Sequence, residues 1–410
     1  MRVLITGLCL QGNKGGPALA LSLMKVIGRY VEPCEFVFSV PSGSEWQHES
    51  EWAGRYGVSI VKGPALEDVS RPFAVRYFPD RVRRLSGWVA AARRSDIVVD
   101  MTAISYVGTG GRRELFVGGR LNYFLLARIA RRPFLAWTQS YGPLSNKLAR
   151  TLAAWDLKRQ PVVFCRGEEC LREVKSLLPD KEAKSYPDVA VVLDYDPEWG
   201  RDYLARNWAG ADTNKLVTIS PSAVIHSRTK DSAGSSGHVE EIVCLCDALT
   251  GMGYEVVLVP HTFRPGVVDP NMCDLAASRL VAGKAARGER VHLIEEDLSP
   301  VELKSVISRA SVHVGGRYHS LVAALSSGVP CIAMSWHPKY RDIMEMYGLG
   351  EFVHDGENAS AESLVEMFEQ VSAKRDDYAG MLANAQSGIE KQIDENARLF
   401  TDLMKEAVSR

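Results

Sequence analysis

Short apolar runs alternate along the chain with stretches of helical period. "RVLITGL", "CEFVFSV", "VSIVKG", "SDIVVDM" and "PFLAWTQS" are strand-like, whereas "PALALSLMKVIGRY" has helical apolar spacing, with Pro17 at the favoured first turn. "NKLARTLAAWDLKR" then reads as helix, "PVVFCRG" as strand and "EECLREVKSLL" as helix. Strands separated by helices need crossover connections, so the pattern predicts parallel sheets buried on both faces. The rhythm lapses over residues 193–214, a polar stretch dotted with aromatics, and a domain boundary is expected there.

Beyond that stretch the alternation resumes with strands "LVTISPS", "YEVVLVPH", "RVHLIEE", "SVHVGG" and "VPCIAMSW". The intervening helices are "VEEIVCLCDALTGMG", one near "DPNMCDLAASRLVAG", and "SLVAALSSG". Ser299, Pro300 and Glu302 make a helix start with capping-box spacing. A serine- and glycine-rich loop at residues 226–238 offers little apolar surface to anchor it, and the tail from Ser360 reads as helix. The fold class expected is α/β, with two facing Rossmann-like domains in a GT-B-like arrangement and a long C-terminal helical segment. Residues 1–200 form the first domain, 201–380 the second, and 381–410 a helix that packs back on the first.

A length of 410 residues is too great for one ordinary core, which agrees with two domains. Lysine and arginine total 49 against 50 for aspartate and glutamate, so the chain as a whole has no attraction for nucleic acid or an anionic surface. Any anion must be met by a local cluster. No apolar run reaches the roughly 18 residues of a membrane span. The opening run breaks into glycines without a cleavage site, so it reads as a first strand and not as a signal peptide. Eight cysteines lack the paired spacing of a zinc or redox site and read as free thiols of a cytoplasmic protein, with peripheral attachment to a membrane still compatible.

Candidate chemistry concentrates at strand ends. In "HVGGRYHSLVAAL", Gly316 ends a strand and Ser320 lies in a helix start, where unpaired N–H groups and the directed donors of Arg317 and His319 suit an anion. Lys339 follows the next strand, in "WHPKY", and is placed toward the same sheet edge. "GLCLQGNKGG" lacks the dinucleotide fingerprint, but Gly12 and Asn13 permit close approach by a ligand or a neighbouring domain. Arg166, Gln139 and His261 each leave a strand end. An arginine so placed can also merely pair with Glu168 or Glu169. Trp336, beside Lys339, is a candidate stacking platform for a sugar.

Taken in order, "GNKGGPAL", "QSYGPL", "FCRGEE" and "GGRYHSLVAALSSGVPCIAMSWHPKY" resemble the polysaccharide pyruvyl transferase family. The resemblance implies transfer of the pyruvyl group of phosphoenolpyruvate to two hydroxyls of a sugar or lipid-linked oligosaccharide, forming a ketal and releasing phosphate without a metal or other cofactor. By motif position it gives Arg317, His319, Arg166 and Lys339 to the donor, and His319 is the candidate acid/base, because an imidazole is the side chain whose ordinary pKa lies near neutrality. The chain departs from the family pattern where an acidic pair is replaced by Gly16 and Pro17. It departs again where glycines are delayed from Thr102–Ile104 to Gly108, Gly110 and Gly111. The alternatives are a nucleotide-sugar glycosyltransferase of similar architecture and a carbohydrate-binding protein without catalysis; self-association is compatible with each.

Overall fold

The computed structural model describes residues 1–410 except 42–44, 65–77, 107–119, 143, 145–146, 209–214, 230–236, 265, 338 and 357–359, and the side chains of 78–84 and 121. Most of the expected serine-glycine loop, the delayed glycines Gly108, Gly110 and Gly111, and Pro338 lie outside the described residues. The chain forms two compact units, one of Met1–Gln11, Leu19–Val189 and Lys391–Arg410, the other of Gly12–Ala18 and Ala190–Glu390. Where the sequence suggested a cut near residue 200, the chain divides after Val189 and two short segments are exchanged.

The first unit is built from β1 (Arg2–Thr6), α1 (Gly15–Gly28) from Leu19 onward, β2 (Glu35–Val40), α2 (Trp46–Arg55), β3 (Ser59–Lys62), α3 (Phe78–Arg93) and β4 (Ile97–Asp100). It continues through β5 (Ile104–Ser105), α4 (Arg120–Ala130), β6 (Phe134–Ala136), β7 (Ser140–Tyr141), α5 (Lys147–Leu157), β8 (Val163–Arg166), α6 (Glu168–Leu177) and β9 (Ala183–Tyr186). Five strands make a parallel sheet in the order β3-β2-β1-β4-β6. Its central strands are continuous apolar runs, and Val3, Leu4, Ile5, Ile97, Val98 and Val99 are all buried. That is what a sheet covered on both faces requires. On one face Trp88 of α3 and Tyr123 of α4 meet over Leu4 and Val98, and the Trp88 indole donates to Ser39 Oγ at 2.9 Å.

The second unit begins with α7 (Pro197–Asn207), a helix inside the stretch that the sequence reading treated as a break. Asp196 caps it, accepting from Glu198 N and Trp199 N, and Pro197 follows in the first turn. There follow β10 (Leu216–Ser220), α8 (Ala223–Thr229), α9 (Gly237–Gly251), β11 (Glu255–Leu258), α10 (Asp274–Lys284), β12 (Val291–Leu293) and α11 (Pro300–Ile307). The chain closes with β13 (Val312–Gly315), α12 (Tyr318–Ser326), β14 (Cys331–Ser335), α13 (Lys339–Met346), β15 (Val353–Asp355), α14 (Ala361–Ala373) and α15 (Arg375–Ser409). Six strands form a parallel sheet ordered β12-β11-β10-β13-β14-β15.

The capping box at Ser299 and Glu302 is formed, with both reciprocal hydrogen bonds in place. Helix α7 lies so close to α11 that a Cβ on Gly200 would stand 2.6 Å from the Ser305 carbonyl carbon. The end of α15 belongs to the first unit. There Phe400 meets the rings of Trp137 and Phe164 at 4.9 and 5.6 Å, and Asn396 Nδ2 donates to Thr138 Oγ1 at 2.6 Å. Among the described residues no helix is long and apolar enough to cross a membrane, and all eight cysteines are free.

Among the buried histidines of the second unit, His238, His261 and His313 are hydrogen-bonded parts of its core. His238 Nε2 accepts from Ser222 N at 3.0 Å, and His261 Nδ1 lies 3.2 Å from Ser220 Oγ. His313 Nδ1 and Nε2 each lie 2.9 Å from a hydroxyl, of Thr218 and Ser320 respectively. Burial lowers the pKa of His238 and His313 to about 3 and that of His261 to about 4. An unfolded chain takes up these protons near the ordinary histidine value of 6.5, and the folded chain does not until far lower pH. The unfolded state therefore binds more protons over that window, and stability falls as pH drops from about 6.5 toward 4, by up to ~1.4 kcal/mol per pH unit for each histidine. Denaturant midpoints at pH 7 and pH 5 check this; equal midpoints would contradict it.

Candidate functional site

In an open parallel sheet a crevice forms at the carboxyl ends of two adjacent strands whose following connections run in opposite directions. In the second unit these strands are β10 and β13, so the loop 221–222 and the turn at Gly316 and Arg317 border the crevice. The two loops nearly touch. Gly316 N–H donates to Ser220 O at 2.9 Å, and a Cβ on Gly316 would stand 3.0 Å from Ser220 O and from Ser222 Cβ. Gly315 is equally confined, 2.8 Å in the same sense from Ser320 Oγ. Glycine is required here for close approach and not for an unusual φ.

Arg317 is the N-cap residue of α12, in extended conformation. Its guanidinium does not stand alone. Nε donates to Asp274 Oδ2 at 2.8 Å, and Nη2 donates to Oδ1 of the same carboxylate, which also accepts Ala223 N at 2.9 Å. Burial opposes the charge of Arg317, and the Asp274 carboxylate outweighs it, raising the pKa above the ordinary arginine value. Ser320, expected at a substrate, is fully buried instead. Its hydroxyl donates to Arg317 O at 2.8 Å, so that His313 Nε2 donates to it and His313 Nδ1 accepts from Thr218. Ser320 thus fixes the turn from beneath.

Tyr318, which the sequence reading did not single out, stands at the centre of the cluster. The His319 ring meets it edge-on at 5.2 Å, and Lys339 Nζ lies 5.2 Å above it. Lys339 opens α13, and its ammonium also lies 5.1 Å from the Trp336 ring and 5.7 Å from that of Tyr340. Tyr340 Oη donates to Gly316 O at 3.1 Å, tying the lysine's helix to the glycine turn. Arg228, from a segment expected to be loop and found at the end of α8, reaches the same Trp336 ring at 4.7 Å. Trp336 therefore already carries two cations. The His319 ring and the Lys339 ammonium thus meet at the Tyr318 ring, while the guanidinium of Arg317 is held on Asp274.

The turn of Gly12 and Asn13 also belongs to this unit. Asn13 bridges Thr262, Lys14 N donates to His261 O at 2.9 Å, and Phe263 N donates to Gly12 O at 3.0 Å. Gly15 packs flat on the His319 imidazole, and a Cβ there would come within 2.6 Å of Cε1 and 2.9 Å of Cγ. Lys14 is buried with its ammonium on Asp297, and Lys304 Nζ donates to Leu193 O at 2.8 Å. Lys14, His261, Lys304 and His319 border a cavity with room for about one water molecule, too small for a metabolite. Lys14, Asp274, Asp297 and Lys304 were missed because a single lysine or aspartate carries no spacing signal.

Arg166 and Gln139 belong to the first unit. Arg166 ends β8, where Nη1 donates to Asp188 Oδ2 at 2.7 Å, Nε to Ser140 Oγ at 3.0 Å and Nη2 to Ala103 O at 3.0 Å. Its acidic partner is Asp188, not Glu168 or Glu169, because α6 carries those glutamates away from the strand end. Gln139 is fully buried, donating to Asp100 Oδ2 and accepting from Ser105 Oγ at 3.0 Å. Asp100 in turn meets Arg120, whose Nε donates to Asp156, a buried network that the sequence did not reveal. Among the described residues no group of three or more histidine, cysteine, aspartate or glutamate side chains is arranged to hold a metal.

In architecture the chain is similar to the UDP-GlcNAc 2-epimerase from Neisseria meningitidis solved bound to UDP-GlcNAc, at 10% identity and a TM-score of 0.59, over 99% of this chain and 100% of that one. It is likewise similar to a ugt transferase from Siraitia grosvenorii in complex with UDP, at 11% identity and a TM-score of 0.57, over 98% and 99%. The Methanocaldococcus jannaschii UDP-GlcNAc 2-epimerase in complex with UDP-GlcNAc and UDP gives 10% and 0.58, over 98% and 99%. At such identities the likeness shows the fold alone, and the α/β, GT-B-like class expected from the sequence holds. A family model described as polysaccharide pyruvyl transferase matches residues 18–338, a span that holds "QSYGPL", "FCRGEE" and all but the last two residues of the final motif, with only Ala18 and Leu19 of "GNKGGPAL". That match spans well over half of the chain, and the protein belongs to the polysaccharide pyruvyl transferase family.

Proposed function

We propose that the protein transfers the pyruvyl group of phosphoenolpyruvate to two hydroxyls of a sugar, free or in a lipid-linked oligosaccharide, forming a cyclic ketal and releasing phosphate. The observation that supports this reading is the meeting of His319 and Lys339 at the Tyr318 ring, next to the Arg317 turn that borders the crevice between β10 and β13. Phosphoenolpyruvate puts a phosphate and a carboxylate on a three-carbon frame, so its site needs several directed cations. Lys339, Arg228 and the N–H groups opening α12 supply them, and Arg317 contributes a guanidinium already fixed by Asp274. Aromatic rings beneath the Lys339 ammonium help to orient it.

The chemistry assigned to these residues balances as follows. His319 protonates the methylene carbon while one sugar hydroxyl bonds to the neighbouring carbon and passes its proton back to the imidazole. The bond from that carbon to the phosphate oxygen breaks, with Lys339 beside the departing phosphate, and the second hydroxyl closes the ketal as its proton leaves with the phosphate. The reading needs no cofactor. It gives acceptor recognition to the first unit, where Arg166, held by Asp188, Ser140 and Ala103, is a positioning residue for the strand ends.

Phosphoenolpyruvate should raise the melting temperature of the protein by linkage, and a UDP-sugar should not. A rise with the UDP-sugar alone would replace pyruvyl transfer by glycosyl transfer. His319→Ala should keep the wild-type melting temperature and lose turnover by about 10²- to 10⁴-fold, read by mass spectrometry of pyruvylated glycosides. Retained turnover removes His319 from the chemistry. Gly15→Ala, whose methyl group would displace the imidazole, should lower kcat by roughly a hundredfold with little change in the KM for phosphoenolpyruvate. An unchanged kcat would show that the ring's placement is not what the reaction depends on.

A further inference from the structure

Although the whole chain is close to neutral, the stretch from Arg120 to Arg159 holds eight lysines and arginines and a single carboxylate, Asp156. Asp156 is buried on Arg120, so the pair adds no outward negative charge. This stretch supplies α4 and α5, which lie side by side: Phe124 of α4 meets Trp155 of α5 edge-on at 5.4 Å. On their outer surface Arg128, Arg131, Lys147, Lys158 and Arg159 are exposed, and among the described residues none of them has a carboxylate within ion-pair distance. Helix α3, packed on α4, adds exposed Arg93 and Arg94.

The same two helices expose large apolar side chains: Leu125 at 43% and Ile129 at 59% on α4, Leu148 at 42% and Trp155 at 36% on α5. Leu125 and Ile129 are four positions apart and Leu148 and Trp155 seven, so each pair projects from one face of its helix. Cations interleaved with aliphatic and indole groups suit one kind of partner: a surface with anionic phosphates at its level and hydrocarbon just below. Nucleic acid would use the cations but not Leu125, Ile129 or Leu148. The Trp155 ring is a poor base-stacking platform, since Arg159 covers it at 4.0 Å and Phe124 abuts it.

We propose that the outer face of α4 and α5 docks the protein on an anionic phospholipid membrane. The docking rests on this surface alone and stands whether or not the donor is phosphoenolpyruvate. The full-length protein should co-sediment with vesicles of phosphatidylglycerol and phosphatidylcholine, and not with phosphatidylcholine alone, and high salt should release it. Arg128→Gln with Lys158→Gln should weaken the partition by roughly 25-fold, given the contribution of each surface cation. Ile129→Ser with Leu148→Ser should weaken it too, with melting temperatures of both variants unchanged because the replaced side chains are exposed. Three results overturn the proposal: no binding to either vesicle, equal binding to both, or binding that ignores the Ile129 and Leu148 changes and is competed by single-stranded nucleic acid as effectively as by lipid. The last would mark a general polyanion surface.

Discussion

Asp274 is wholly buried, and Arg317 lies against it with its side chain only 14% exposed. Neither charge is tolerable there without the other, since breaking a buried pair by removing one partner costs about 3–5 kcal/mol. The pair joins three pieces of chain: the start of α10, the loop after β10 through Ala223 N, and the turn after β13. Those pieces define the crevice, so its shape depends on an ion pair and not on apolar packing alone. The pair also changes the electrostatics of the site. With its charge compensated by Asp274, the Arg317 guanidinium is a fixed hydrogen-bond donor more than a source of net positive charge.

The first unit uses the same device. Asp100 ends β4 and takes Arg120 Nη1 at 2.8 Å, while Asp156 takes Arg120 Nε and the Tyr106 hydroxyl, the latter at 2.6 Å. Tyr106 sits at φ 61°, a conformation costly for a side chain of its size, and its bond to a buried carboxylate helps to hold it there. Thr102, in place of a glycine in the family pattern, is accommodated because its facing residue is Gly7, at φ 88°, where a Cβ would come within 2.6 Å of Thr102 N. The departure in the motif is thus matched by a glycine on the neighbouring strand end. Buried polar networks of this kind fix geometry more than they add stability.

Similarity of fold to epimerases and transferases that act with UDP-linked ligands does not carry their chemistry to this chain, because function resides in the side chains grafted on a fold. The family match, not the fold, is what says which group of transferases the chain belongs to. The basic and apolar face of α4 and α5 belongs to a different part of the molecule's chemistry from the crevice between β10 and β13.

Much of the fold was legible in the sequence because parallel sheets write themselves as apolar runs separated by helical periods, and because Ser299-Pro300-Glu302 is a local start signal that needs no partner. The helix at Pro197–Asn207 was missed since its apolar face is short and includes Gly200, whose reason is the Ser305 carbonyl of another helix. The Gly-Gly-Arg-Tyr-His turn could be placed at a sheet edge from sequence alone. Sequence could not supply the counter-charge of Arg317, 43 residues away, or the partner of Arg166, 22 away, because ion pairs between distant segments leave no periodic trace. Nor could it show that Gly15 is glycine for the sake of the His319 ring. What the order of residues determined was which strands and turns exist; which charges meet, and which are neutralised when they do, was decided only when the sheets brought separate loops within a few ångströms of one another.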